Sequence, residues 1–132
     1  MIFVDASFWI ALRFHRDSNH EQAKDLLVRH GGEPLVTTNL VRGETWTFIR
    51  DRMGHGPAVD LLGRLGASKR IEVARVTEKV EEVALEWLQQ HDERVYSYVD
   101  ATSFAFMRAR RITNALTFDS DFSAAGFVEL RP

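Results

Sequence analysis

Apolar runs of strand length alternate along this chain with helical patterns, an order that points to a parallel sheet wrapped by helices. Strands are expected at Ile2–Val4, Leu35–Thr37, Ile71–Ala74, Ala115–Phe118 and Phe127–Leu130. Between them, His20–His30 places Ala23, Leu26 and Leu27 on one helix face, and Val80–Gln90 does the same with Val80, Val83, Ala84, Trp87 and Leu88. Gly31-Gly32 ahead of Pro34 ends the first of these helices. Two more, about Asn39–Arg52 and Pro57–Leu65, lie on either side of Gly54-His55-Gly56 and turn one crossover into a helical hairpin. No repeat, low-complexity tract or interdomain linker interrupts the pattern, so the expectation is one α/β domain over residues 1–132.

A chain of 132 residues buries roughly two thirds of the surface its unfolded form exposes, enough for one core without disulfides. Cysteine is absent, which excludes thiol chemistry, a cysteine-ligated zinc site and an iron–sulfur cluster. The opening Met-Ile-Phe-Val lacks a basic flank and meets Asp5 at once, too short for a signal sequence or a membrane span. The expectation is a soluble, cytoplasmic protein. Its net charge of −2 argues against indiscriminate nucleic-acid binding. Arg50 with Arg52, and Arg108 with Arg110 and Arg111, are nonetheless clusters able to line a path for a polyanion or to serve as a solvated face.

Four acids stand where an amphipathic pattern calls for something else. Asp5 ends the first strand, Glu44 interrupts an apolar helix face, and Asp100 and Asp119 open helices. In an open parallel sheet, ligands bind beyond the carboxyl ends of the strands where the strand order reverses. Asp5 and Asp119 share that crevice if the first and fourth strands are neighbours. Leu40, Glu44 and Phe48 fall at four-residue steps, which predicts an inward-facing carboxylate in need of a cation or an arginine. The plain alternatives are a boundary glutamate paired with Arg42 or Arg50, and aspartates that merely cap helices, with Ser97 an equally good cap for the helix through Arg110. Asp121 competes with Asp119, which is favoured because it directly follows the strand.

The hydroxyls of Ser7, Thr102 and Thr117 are further candidates to orient a carboxylate. Capping of the first helix by Ser7 and simple strand filling by Thr117 are the favoured readings of those residues, and an ordinary structural role is favoured for Thr102. None of the five histidines has an i, i+4 histidine partner, so zinc has no site. Phe8, Trp9, Leu12 and Phe14 crowd more apolar surface onto a short first helix than one face can bury, the mark of an interface. Core packing is the expectation for Phe8 and Phe48.

The blocks Val4-Asp5-Ala6-Ser7, the Glu44 helix, Tyr98-Val99-Asp100-Ala101-Thr102-Ser103 and Ala115-Leu116-Thr117-Phe118-Asp119-Ser120-Asp121-Phe122 come in an order that resembles the PIN domain, a family of metal-dependent nucleases. The wording is closer still to the VapC-like ribonuclease toxins of toxin–antitoxin pairs. The resemblance implies a three-layer α/β/α fold of four to five parallel strands in the order 3-2-1-4-5. It also implies an endoribonuclease that inhibits translation or growth, an RNA substrate, a homodimer, and a VapB-like antitoxin that wraps the toxin and places an arginine at the acid pocket. One departure is Asp121, near which this branch often carries a basic or histidine residue.

Oxygen-only ligands suit a hard ion, Mg2+ or Mn2+, which lowers the pKa of a coordinated water and polarises the scissile phosphate. On this reading Asp5 and Asp100 hold the ion, Glu44 and Asp119 complete its shell, and Ser7, Thr117 and Asp121 assist. Arg50, Arg108 and Arg111 are then the candidates for RNA contact. A phosphotransfer domain would want a second aspartate at position 7, which is serine. A catalytically silent binding or regulatory module of the same shape is the alternative, and four intact acids speak against it.

Overall fold

Ile2, Phe3 and Val4 form the central strand of the sheet and are fully buried, as a strand flanked by partners on both edges and helices on both faces must be. The computed structural model describes residues 1–132. In chain order the elements are β1 (Ile2–Val4), α1 (Ala6–Arg13), α2 (His20–Arg29), β2 (Leu35–Thr38), α3 (Asn39–Met53) and α4 (His55–Ala67). They continue with β3 (Ile71–Ala74), α5 (Glu78–Gln90), α6 (Tyr98–Arg110), β4 (Asn114–Leu116), α7 (Asp121–Ala124) and β5 (Val128–Glu129).

All five strands are parallel, in the order β3-β2-β1-β4-β5. The chain builds outward from β1 through β2 to β3, then crosses back to add β4 and β5 on the other edge. Phe3 thus pairs with Val36 on one side and Ala115 on the other. The reversal of order lies between β1 and β4, so the crevice expected of an open parallel sheet opens beyond Val4 and Leu116.

Side-chain oxygens fix where the helices begin. Thr38, Thr77 and Ser97 accept bonds from the backbone N–H groups of Val41, Val80 and Asp100 at the starts of α3, α5 and α6. The joint of the helical hairpin is Gly54 alone, whose φ of 105° suits a residue without a side chain. The second helix of the hairpin therefore starts at His55, earlier than the glycine pattern implied. Pro57 is accommodated in its first turn, where a missing N–H leaves no bond unmade.

Two strands are shorter than the hydrophobic pattern suggested. β4 stops at Leu116, because the Phe118 N–H turns to Ser7 Oγ and the Thr117 hydroxyl to Asp5. β5 is reduced to Val128–Glu129, since the Phe127 N–H is taken by the Phe122 carbonyl in the turn after α7. No helix is long and apolar enough to cross a membrane.

Beneath α6 and α7 the core is aromatic. Phe104 packs edge-on to Phe122 at 4.9 Å and lies against Phe127 at 5.6 Å, while Phe3 faces Phe106 and Phe122 from the sheet. Such rings bury large areas, and edge-to-face pairs add to that burial. α1 is buried on more than one side. Phe8 stacks on Phe118, and Trp9 reaches Thr37 with its indole N–H at 3.5 Å, so the crowded apolar surface of this helix largely enters the core. Phe104→Ala should cost about 3–5 kcal/mol in denaturant unfolding, against less than about 0.5 kcal/mol for Val28→Ser at an exposed helix position.

Candidate active site

Asp5 is the first residue after β1, and its backbone N–H still bonds the Leu116 carbonyl of the neighbouring strand. That one bond aligns the ends of the two central strands. The carboxyl then begins α1, with Oδ2 accepting from the Ser7 N–H at 3.3 Å, the Ser7 hydroxyl at 2.8 Å and the Thr117 hydroxyl at 3.1 Å. These three bonds converge on one oxygen and leave the other free of them. Asp5 is only 3% exposed, and burial pushes its pKa up despite the donors.

The turn after β4 is tied to the same carboxylate. Ser7 Oγ accepts from the Phe118 N–H at 2.9 Å, and Thr117 Oγ1 accepts from the Asp119 N–H at 3.0 Å. Arg131 clamps the other side of this turn by donating to the Thr117 carbonyl at 3.0 Å. Ser7 and Thr117 are therefore more than a helix cap and a strand filler: they link Asp5 to the loop that carries Asp119. Thr102 has the ordinary role, donating to the Val99 carbonyl within its own helix.

Asp119 does not itself open a helix. Its Oδ1 accepts the Asp121 N–H at 2.9 Å, and α7 begins two residues later. Asp100 stands in the first turn of α6, where Ser97 does the capping and leaves the Asp100 carboxyl available to the cleft. Carboxylate oxygens of Asp100, Asp119 and Asp121 lie within 4.8 Å of one another. Asp121 thus joins the cluster, a placement the sequence left open between it and Asp119.

Glu44 completes the set from α3, but from an exposed position rather than the inward face expected. Val41, Thr45 and Ile49 form the buried face of that helix, while Leu40 and Phe48 are half-buried and Glu44 is exposed. The row at positions 40, 44 and 48 lies beside the buried row, and Glu44 and Phe48 reach the cleft from it. Phe48 packs against the core, as expected, and lines that cleft as well. The cleft has a volume of about 410 Å³ and is lined by Asp5, Glu44, Asp100, Asp119 and Asp121, with Phe48 and Val95 at its margins.

Loss of water together with the crowding of like charges perturbs Asp100, Glu44 and Asp119. Asp100 is pushed up to about 7, first by burial and then by the charges of Asp5 and Asp119. Glu44 and Asp119 are also raised, each chiefly by loss of water and further by neighbouring carboxylates.

The basic candidates lie elsewhere. Arg108 and Arg111 are eight and eleven residues beyond Asp100, about 12 and 16 Å along the axis of α6. Arg108 donates to the Ala125 carbonyl and lies over the rings of Phe127 and Trp87, and Arg111 occupies the left-handed C-cap. Arg50 is exposed without an ion pair and does not line the cleft. Arg94, which the sequence reading passed over, is the cation that touches the cluster: its Nε donates to Asp121 Oδ1 at 2.6 Å. No motif marks it, and only the packing of the 92–97 loop brings it there.

An acid whose pKa is raised by folding binds its proton more tightly in the folded state. Stability in the absence of metal should therefore fall as pH rises from about 5 to 8, through the folded-state value of Asp100. Thermal melts in chelator should show a loss on the order of 1 kcal/mol or more over that window, and Asp100→Asn should make the slope shallower.

A PIN-domain profile matches residues 2–128. The curated relatives include the 23S rRNA-specific endonuclease VapC20 of Mycobacterium tuberculosis, in strains CDC 1551/Oshkosh and H37Rv. Each is 53% identical over all of this chain and 99% of the relative. Among solved structures, the crystal structure of Mycobacterium tuberculosis VapC20, described as a sarcin–ricin loop cleaving toxin, superposes with a TM-score of 0.94 at 52% identity, covering both chains in full. With that profile, that identity and the 3-2-1-4-5 parallel sheet, the chain belongs to the PIN-domain family, in its VapC-like branch.

Proposed function

We propose that this chain is a metal-dependent endoribonuclease that cuts the sarcin–ricin loop of 23S ribosomal RNA, acting in the cytoplasm as the toxin of a toxin–antitoxin pair. The observation that carries the reading is the convergence of Asp5, Glu44, Asp100 and Asp119 on one cleft at the sheet's switch point. The high identity to VapC20 over the whole chain supports the choice of substrate. The whole of residues 1–132 acts as one nuclease domain.

The donor set fits a hard divalent ion. It consists of carboxylate oxygens without histidine or thiolate, and these acids raise one another's pKa values by a repulsion that a cation relieves. A bound Mg2+ or Mn2+ ion supplies charge that acidifies a coordinated water and polarises the phosphodiester. Asp5 and Asp100 would hold it, with Glu44 and Asp119 completing the site. Ser7 and Thr117 keep the Asp5 carboxyl in one orientation by occupying Oδ2, so its free oxygen is the one presented to a ligand. Glu44, on the open side of the cleft, is the acid that water and RNA reach first.

The partner reading is likewise a proposal: a homodimer, and a VapB-like antitoxin. Sharing no residue with the acid cleft, Trp9, Leu12, Leu27, Leu61 and Leu65 line a groove of about 440 Å³ together with Arg13 and Arg64. Its apolar floor suits the apolar face of an antitoxin helix.

Asp5→Asn should abolish cleavage of a sarcin–ricin loop RNA while retaining a folded far-UV spectrum. Mn2+ should raise the melting temperature of the wild type and leave that of the variant unmoved. Cleavage retained by Asp5→Asn would refute the assignment. Thr117→Val should lower cleavage by about 10–100-fold through the loss of Asp5 orientation. Leu27→Glu should weaken capture by the co-expressed antitoxin in a pull-down and spare cleavage by the free toxin.

A further inference from the structure

We propose that Arg94 is the phosphate-binding side chain of the acid cleft, held ready by Asp121 and offered to the RNA backbone beside the scissile bond. The inference rests on the ribonuclease reading above and adds a residue to its machinery. The lining of the cleft holds five carboxylates and no lysine or arginine. An anionic substrate must nevertheless approach it. Even with the inner acids neutralised, Asp121 at the margin would repel a neighbouring phosphate unless its charge were matched.

Arg94 supplies that match. Its Nε donates to Asp121 Oδ1 at 2.6 Å, and its Nη2 donates to Ser120 Oγ at 2.8 Å. Those two bonds use two of five donors, and the side chain is 41% exposed against 15% for Asp121. A planar guanidinium with spare, water-facing donors is the group best shaped to take two oxygens of a phosphodiester.

The loop around it is built rather than loose. Tyr96 packs edge-on against Trp87 at 4.7 Å and Phe104 at 5.9 Å, and His91 bonds Glu93 at 2.8 Å. Ser97 closes the segment by capping α6. Between these anchors Val95 is 98% exposed, so nothing in the chain covers this lip of the cleft. Stability alone is a weak reason for the arrangement, because an ion pair this open contributes about 0–1 kcal/mol.

The test measures binding of a sarcin–ricin loop RNA in an Asp5→Asn background, where the RNA stays intact, across a salt series. Adding Arg94→Gln should weaken binding about tenfold and reduce the slope of log affinity against log salt by about 0.7–0.9, the contribution of one phosphate contact. Arg94→Lys should recover the slope but only part of the affinity. With Asp5 restored, Arg94→Gln should raise KM more than it lowers kcat and preserve the Mn2+-induced rise in melting temperature.

Unchanged affinity and slope in Arg94→Gln would overturn the proposal. So would a loss that vanishes when Asp121→Asn is combined with it, since Arg94 would then act only by placing Asp121. If the wild type left this RNA uncut, the substrate reading would fall, while the salt series would still decide whether Arg94 holds a phosphate.

Discussion

A carboxylate removed from water has to be held by donors or matched by charge, and in this protein that carboxylate is Asp5. It sits at the end of the most buried strand, where the cost of an unpaired charge is highest. Three donors meet one of its oxygens, and two of these come from hydroxyls that also fix the loop after β4. The second carboxylate of the cleft, Asp119, is thus positioned by the bonds that make the first one tolerable. Removing either hydroxyl would disturb two acids at once.

The remaining geometry follows from how helices start. Thr38 and Ser97 take the capping duty at α3 and α6, which frees Glu44 and Asp100, six and three residues further along, to face the cleft instead of their own backbones. The helix ends also place partial positive charge nearby, which favours acids in a first turn. Even so, burial and mutual repulsion prevail, because Asp100 is driven to about 7. A cation in such a site would replace repulsion between neighbours with attraction to each, which is the physical basis of the proposed metal binding.

Much of this is legible in the sequence. Period and spacing place the five strands and the hairpin, because apolar residues at strand and helix periods are dictated by burial alone. The strand order was not legible from the residues themselves: pairing of β1 with β4 is a contact across more than a hundred positions, and it came from the family resemblance. The misreadings have local causes. Glu44 was placed on an inward face because Leu40 and Phe48 share its row, but that row is only half-buried and Glu44 itself is exposed at the cleft. Thr117 looked like strand filling since strand and turn share the same apolar run, and only the hydrogen bonds of Ser7 and Asp5 show where the strand stops. Arg94 carried no signal at all, since its role depends on Tyr96 being drawn under Trp87.

Charge arithmetic connects the site to its substrate. The chain has 19 acidic and 17 basic residues, so its affinity for RNA cannot come from a general positive surface. The basic groups around α6 are spent on packing: Arg108 on Phe127 and Trp87, Arg110 on Phe106 and in a two-bond pair with Glu72. Attraction for a polyanion has then to be concentrated at the cleft, in the proposed ion and in the few guanidiniums near it. Arg94 stands on one margin, and Arg52 lies 5.1 Å from the centre of the Phe48 ring, which lines the cleft. A protein charged in this way holds RNA weakly everywhere except where a phosphate can reach both the acids and an arginine. Such a distribution favours a substrate whose backbone already bends to present phosphates at the right separation, which is how a folded RNA loop differs from an extended strand.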